Sequence, residues 1–258
     1  MSYQRWLIHK TNGIVTLTLN RPEVRNALDN LSWQELGAIV SDISKDAQIK
    51  VVIITGAGQE SFAAGADVEW LLNRPTIESW DPGVQGVLNS LENLPQPTIA
   101  AINGYAFGGG CELVLACDLR IASQNARFGL TEIGVGIIPG GGGTQRLPRL
   151  IGAGRAKEMI FLGKLVDASE AECIGLVNRV CPLTELISVA NELAHKLLNR
   201  APLAVRMAKQ AINYGLQTDL ITGMAYEKAC QSFLYTTEDQ REGMIAFLEK
   251  RKPIYIGR

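Results

Sequence analysis

The chain has 258 residues, of which 47% are hydrophobic and 20% are charged, and its net charge is -1. These values are typical of a folded globular protein with a sizeable core, and they exclude a disordered chain. The near-neutral charge argues against nonspecific binding to nucleic acid, which depends on clustered Lys and Arg residues that neutralise phosphates.

The cysteine pattern and the lengths of the apolar runs bear on the cellular location of the protein. The five cysteines are odd in number and contain no C-x-x-C pair, so they predict neither a disulfide framework nor a zinc site. Residues 1–10 lack the apolar stretch of a signal peptide, and no later apolar run approaches the roughly 20 residues that span a bilayer. We expect a cytoplasmic protein without a membrane partner.

Strand and helix patterns alternate through the first part of the chain. Apolar residues that alternate with threonine, and short β-branched runs, predict strands, whereas apolar residues spaced by three or four predict helices. The predicted strands cover residues 14–20, 50–56, 97–104 and 119–122, and the predicted helices cover 29–45 and 109–116. This alternation predicts an α/β fold with parallel pairing, because parallel strands need long crossover connections.

From about residue 184 the strand pattern disappears. Apolar spacing predicts consecutive helices over 184–198, 202–216, 219–234 and 238–250. Pro202 suits the first turn of its helix, because an N–H group there would have no helical partner. We therefore predict two parts, an α/β core over residues 1–200 and a helical region over residues 201–258.

The strongest chemical signal is the glycine run Gly108 to Gly110 at a predicted strand-to-helix junction. Glycine permits positive φ and lets a ligand approach the backbone. A helix that begins near Gly109 presents unpaired N–H groups, and Glu112 lies on the same helix face three residues later. A tight turn with a solvated glutamate is the plainer alternative. A carboxylate on an otherwise apolar helix face is costly, which favours a functional role.

A second carboxylate, Glu132, follows further along the chain among apolar residues and glycines. Two carboxylates in one pocket of low dielectric constant separate in pKa, so that one can give a proton while the other accepts one. On its own, Glu132 is more often an ordinary loop or cap residue.

The segment 61–67 offers a further backbone donor. Its Ala64-Gly65 pair is expected to present an N–H group, and Asp67 is expected to act as the N-cap of residues 68–72. Capping is the expected role of Asp67.

Several motifs together resemble the crotonase superfamily, the enoyl-CoA hydratase/isomerase family. They are Asn20-Arg21-Pro22, Asn26-Ala27-Leu28, Ala64-Gly65-Ala66-Asp67, Gly108 to Glu112, Glu132 and residues 139–147. Residues 241–251 are similar to the C-terminus of enoyl-CoA hydratases, so the resemblance extends over about residues 14–252.

This resemblance implies a spiral of ββα units followed by a C-terminal helical trimerisation region, as a homotrimer or a homohexamer of paired trimers. It implies an enoyl-CoA hydratase, which adds water reversibly and syn across the double bond of 2-trans-enoyl-CoA to give 3-hydroxyacyl-CoA, as in fatty-acid β-oxidation. The expected partner is the acyl-CoA thioester, with coenzyme A as part of the substrate and with no metal or other cofactor.

The family's functional residues carry over to matching positions. The resemblance implies that the backbone N–H groups of Ala64 and Gly109 hold the thioester oxygen, and that Glu112 and Glu132 form the acid/base pair. The implied substrate-binding residues are Ala64, Gly65, Ala66, Asp67, Gly109, Phe247 and Lys250, the last two near the nucleotide and from the same or a neighbouring subunit. Trp70 and Trp80 are candidates for an acyl tunnel, with ordinary packing as the default.

Three alternatives stay open. The same scaffold supports other acyl-CoA reactions, such as double-bond isomerisation or dehydration of a 3-hydroxyacyl-CoA, although isomerases commonly keep one of the two glutamates. Residues 51–58 suggest a dinucleotide-binding turn, but Ser61 stands where the third glycine belongs. An RNA-binding relative would use the basic groups at 146–149 and 250–252. Acyl chain length, reaction direction and pathway do not follow from the sequence.

Overall fold

Two β-sheets surrounded by helices form the computed structural model, which describes residues 3–73 and 83–258. The strands are β1 (Trp6–Thr11), β2 (Ile14–Leu19), β3 (Val51–Gly56), β4 (Ser61–Ala63), β5 (Thr98–Ile102), β6 (Tyr105–Phe107), β7 (Leu119–Ser123), β8 (Arg127–Gly129), β9 (Val166–Asp167) and β10 (Arg179–Cys181). The larger sheet has the order β1-β2-β3-β5-β7-β10, and the smaller has the order β4-β6-β8-β9.

Successive strands from β3 to β8 alternate between the two sheets, so each turn of the chain contributes one strand to each sheet. The pairs β1–β2 and β8–β9 are antiparallel, and the other described pairs are parallel. The predicted α/β fold with mainly parallel pairing is confirmed. Because the strand β4 follows β3 where a dinucleotide-binding motif requires a helix, the structure rejects the dinucleotide-binding alternative.

The helices cover the sheets and form the C-terminal region. They are α1 (Asn30–Lys45), α2 (Val68–Leu72), α3 (Gly83–Glu92), α4 (Gly109–Leu115), α5 (Gly143–Ile151), α6 (Ala153–Leu162), α7 (Ala168–Cys173), α8 (Leu186–Leu198), α9 (Pro202–Gly215), α10 (Leu220–Leu234) and α11 (Glu238–Leu248). Within the described ranges, none of these helices has the length and apolar character needed to cross a membrane.

Strand β3 shows how the core is built. Val52 and Ile54 face the larger apolar cluster, and Val51 and Ile53 face a second cluster that includes Ala190 of α8. Burial on both faces explains the continuous apolar run in the sequence, because a strand covered on one side alone alternates apolar with polar residues. The middle of the larger sheet is therefore a platform covered on both faces, whereas β1 at its edge is mostly exposed.

Helix α9 is tied to this platform by a partly buried ion pair. Lys209 donates to a carboxylate oxygen of Asp118 at 2.7 Å and to the backbone oxygen of Gln96 at 3.2 Å. The same Asp118 oxygen accepts from the backbone N–H of Thr98 at 2.7 Å. The side chains of Lys209 and Asp118 are 8% and 22% exposed, so removal of one partner leaves a charge that water reaches poorly.

We expect Lys209→Met to lower the free energy of unfolding by about 3 kcal/mol, because Asp118 loses its cation. Lys196→Met is the control, since the Lys196 side chain is 58% exposed in its pair with Glu192 and should contribute about 0–1 kcal/mol. Urea unfolding followed by circular dichroism measures both variants. Equal losses in the two variants would contradict the assignment.

Candidate active site

The first turn of α4 is shaped by two glycines. Gly108 precedes the helix with φ of 49°, which side chains other than glycine rarely tolerate. A Cβ atom on Gly110 would lie 2.1 Å from the backbone oxygen of Ala63 at the end of β4. The glycines therefore let the start of α4 approach the segment that follows β4.

This approach brings two backbone donors together. Among the described residues, the N–H groups of Gly109 and Ala66 donate to no protein acceptor. A Cβ atom placed on Gly109 would lie 4.0 Å from the Ala66 nitrogen, and both residues line one cleft. Two free N–H groups at one place form a site for an oxygen that becomes negatively charged.

The donor predicted at Ala64 is contradicted by the structure. The Ala64 N–H donates to the backbone oxygen of Arg25 at 3.1 Å, which leaves it unavailable to a ligand. The second free donor belongs to Ala66, a residue that the sequence reasoning placed only along the CoA path. The position of Ala66 directly before the capping residue Asp67 was the sequence feature that could have indicated a free N–H group there.

Gly65 and Asp67 hold Ala66 in place from either side. The Gly65 carbonyl accepts from Leu28 N–H at 2.8 Å, and the Asp67 N–H donates to the Leu28 carbonyl at 3.0 Å. The Asp67 carboxylate also accepts from the N–H groups of Glu69 and Trp70, which confirms it as the N-cap of α2. These contacts fix the direction of the Ala66 N–H.

Glu112 is held in the cleft by backbone donors. Its side chain is 3% exposed, and its Oε1 accepts from the N–H groups of Gly141 at 2.7 Å and Gly143 at 2.8 Å. Burial raises the pKa of Glu112 to about 7, and the charge of Glu132 acts in the same direction. The two N–H groups and the guanidinium of Arg146 act in the opposite direction.

Glu132 begins the 3-10 helix Glu132–Val135 after β8. A Cβ atom on Gly108 would lie 3.3 Å from its Oε1, so the carboxylate faces the start of α4. Burial raises the pKa of Glu132, and its buried Oε2 has no partner within the described residues. A buried oxygen without a partner is costly, which indicates a place for a ligand or water.

The two glutamates, Ala66 and Gly109 line the same cleft of about 740 Å³. That volume is within the usual range for small-molecule sites, about 300–1,000 Å³. Much of the remaining wall is apolar and comprises Trp33, Trp70, Leu71, Val84, Ile133, Ile137 and Ile138. Trp70 therefore lines this cleft and also packs against the core, whereas Trp80 is outside the described residues.

Other predicted residues lie apart from this cleft. Phe247 on α11 is 83% exposed and lines a separate groove, and Lys250 is exposed beyond the end of α11. Neither lines the cleft of its own chain, so their contact with substrate stays a prediction that requires a second subunit.

Two of the basic residues considered for RNA binding, Arg146 and Arg251, are paired with acidic side chains. Arg146 is buried against Glu92, and Arg251 pairs with Glu242 at the end of α11. These pairs reduce the free positive charge at the two basic groups, which disfavours RNA binding there. Within residues 3–73 and 83–258, no group of three or more His, Cys, Asp or Glu side chains is arranged to hold a metal ion.

Comparison with known proteins agrees with this geometry. A family model described as enoyl-CoA hydratase/isomerase matches residues 9–258. The short-chain-enoyl-CoA hydratase of Clostridium acetobutylicum is 46% identical over 98% of this chain and 97% of its own length. The crotonyl-CoA hydratase of Syntrophomonas wolfei is 43% identical over 100% of both chains.

A solved structure shows the same fold. The crystal structure of an enoyl-CoA hydratase from Bacillus anthracis superposes with a TM-score of 0.95 and 45% sequence identity, over 99% of this chain and 100% of that one. The sequence matches extend over nearly the full length of the chain. The chain belongs to the enoyl-CoA hydratase/isomerase family.

Proposed function

We propose that the protein is an enoyl-CoA hydratase, which adds water reversibly to a 2-trans-enoyl-CoA and gives a 3-hydroxyacyl-CoA. The observation that carries the proposal is the meeting of a buried carboxylate (Glu112), a partly buried carboxylate (Glu132) and two free backbone N–H groups in one cleft. The relatives named as hydratases support the same reaction. Their names also support a short acyl chain as the substrate, such as the crotonyl group.

The backbone donors stabilise the charge that forms during the reaction. When water attacks C3, the electrons of the double bond move toward the thioester and its oxygen becomes anionic. The N–H groups of Ala66 and Gly109 are aimed at this oxygen before the reaction begins. Each such donor contributes roughly 10²–10³ in rate, because it requires no reorganisation at the moment of attack.

The two glutamates divide the proton transfers. Glu112 is oriented by Gly141 and Gly143 as an acceptor, so we assign it to take the proton of the attacking water. Glu132 has a buried oxygen without a partner and is assigned to deliver a proton to C2. The water oxygen bonds to C3, and exchange with solvent restores both side chains. A positioned carboxylate contributes about 10²–10⁴ in rate.

Double-bond isomerisation is the second candidate. It moves a proton between C2 and C4 and adds no water, so one carboxylate is sufficient. The presence of both glutamates in the cleft favours hydration. Chromatography of the products separates a 3-hydroxyacyl-CoA from a shifted enoyl-CoA.

We further propose that the chain assembles as a homotrimer or a pair of trimers. Large apolar side chains on α9–α11 are exposed in the single chain, among them Ile212, Leu220, Ile221, Phe233, Phe247 and Leu248. Contiguous apolar surface of this kind is typical of an interface. An assembly of this kind would bring Phe247 and Lys250 to the nucleotide of a neighbouring subunit. The cytoplasmic location remains a prediction from the sequence.

We expect Glu112→Gln and Glu132→Gln each to lower kcat for hydration of crotonyl-CoA by about 10²–10⁴-fold, because each removes one proton transfer. Loss of the absorbance of the conjugated thioester measures the rate. Glu192→Gln, on the exposed face of α8, is the control and should retain full activity. Near-normal turnover by either active-site variant would refute the two-carboxylate assignment.

The raised pKa of Glu112 predicts the pH dependence. A base must be ionised, so hydration should decline as the pH falls through about 7 and Glu112 takes up a proton. An ordinary exposed glutamate would keep the enzyme active to about pH 4.3. Measurement of kcat against pH distinguishes a decline near pH 7 from a decline at about pH 4.3. Full activity at pH 5 would contradict a buried base.

We expect the double variant Leu220→Asp, Ile221→Asp to dissociate the assembly, because it places two charges in the proposed apolar interface. Lys228→Asp introduces a charge change on the exposed surface of the same helix and should leave the assembly intact. Size-exclusion chromatography with light scattering gives the mass of each protein. A monomeric unmodified protein would refute the proposed assembly.

A further inference from the structure

Arg146 on α5 contacts the loop that holds Glu112. Its side chain is buried, with the residue 9% exposed, and its Nη1 donates to the Gly141 carbonyl at 2.7 Å. The N–H group of Gly141 donates to Glu112 Oε1, also at 2.7 Å. One residue of the loop therefore connects the guanidinium with the carboxylate.

The guanidinium is itself fixed on α3. Its Nε and Nη2 donate to Glu92 Oε2 at 3.1 and 2.8 Å, and Nη2 also donates to Asn89 Oδ1 at 2.7 Å. The Glu92 backbone oxygen accepts from the Asn213 side chain of α9 at 3.1 Å. Because the planar guanidinium has several donors in fixed directions, these contacts leave it little freedom to turn.

The loop is shaped to enclose this group. Gly142 has φ of 107°, and a Cβ atom there would lie 2.2 Å from Arg146 Nη1. The loop therefore closes against the guanidinium at a distance that only glycine permits. Removal of the guanidinium would leave the Gly141 carbonyl without its partner and the loop without its support.

We infer that Arg146 is a positioning residue, which holds the Gly141 peptide and thereby orients the Glu112 carboxylate for proton transfer. The inference rests on the proposed function, since it assumes that Glu112 acts as a base. Arg146 makes no contact with the reacting atoms in this assignment. Its effect passes through the backbone of the 139–143 loop.

The pKa of Glu112 provides a second measure of the role of Arg146, because it depends on the charges around the carboxylate. Glu132, from the segment after β8, raises the pKa of Glu112, and Arg146, from α5, lowers it. The neighbouring Cys111 thiol stays neutral, because burial raises its pKa far above its usual value. Loss of the Arg146 charge should therefore raise the pKa of Glu112 further above its ordinary value.

The test compares Arg146→Gln and Arg146→Lys with Arg149→Gln in the full-length protein. Arg149 is the matched control because it lies on the same helix, is exposed, and within the described residues makes its hydrogen bonds to Gln145. Arg146→Gln should lower kcat for crotonyl-CoA by about 10²-fold, as expected for a displaced catalytic group, and should change KM far less. The decline in kcat at low pH, the low-pH limb of its pH profile, should move to higher pH.

Arg146→Lys should leave the low-pH limb near its original place, because it keeps the charge, but should restore only part of kcat, because it lacks the planar donors. Arg149→Gln should match the unmodified protein in kcat and in pH profile. Near-ultraviolet circular dichroism and thermal unfolding establish that each variant is folded before its rates are compared.

Two results would overturn the inference. One is a folded Arg146→Gln variant with unchanged kcat. The other is a loss of kcat with an unshifted low-pH limb, which would assign Arg146 to general packing. If the unmodified protein fails to hydrate crotonyl-CoA, the proposed function is refuted instead, so the two failures are distinguishable.

Discussion

Burial of the Glu112 carboxylate is the constraint around which the site is built. An ionised carboxylate is costly in a low-dielectric interior unless donors surround it. The N–H groups of Gly141 and Gly143 stabilise the ionised form without neutralising it. Arg146 donates to the carbonyl of Gly141, whose N–H group is the one bonded to Glu112. Burial still raises the pKa to about 7, so the group changes its protonation state near neutral pH. A base needs this balance, because a carboxylate with an ordinary pKa would accept a proton too weakly.

In the proposed reaction, helix α4 supplies both a backbone donor to the anionic oxygen and the carboxylate that acts as the base. Gly109 presents an N–H group at the start of α4, and Glu112 lies three residues later on the same face. The alternation of strands between two sheets puts β4 and β6 side by side, so the turn after β4 lies against the start of α4. Ala66 meets Gly109 for that reason. The donor pair is thus a consequence of the sheet topology.

Long periodic segments were predictable from the sequence, and short or distant features were not. Strand β2 and helices α8 to α11 were predicted because each contains several repeats of its apolar pattern, and β3, β5 and β7 because each is a mainly apolar run. Strands of two or three residues, such as β4 and β9, contain too few residues for a period. The Arg25 carbonyl that accepts from the Ala64 N–H is distant in the sequence, so spacing could not show that Ala64 is bonded while Ala66 is free. The partners of Glu112 lie 29 and 31 residues away, so spacing along the chain could not reveal them.

Different groups in the cleft are expected to serve the reaction and the choice of acyl chain. The oxygen site and the support of Glu112 are made by backbone N–H groups, whose positions depend on glycines and on the fold. The rest of the wall is mostly apolar side chains, including Trp33, Trp70 and Ile137. Under the proposed function, substitution of those side chains can reshape the acyl pocket while the assigned donors to the thioester oxygen and to Glu112 stay in place. Apolar pockets discriminate by only about 1–3 kcal/mol per methylene, so acyl preference on this scaffold should change gradually while the reaction itself is retained.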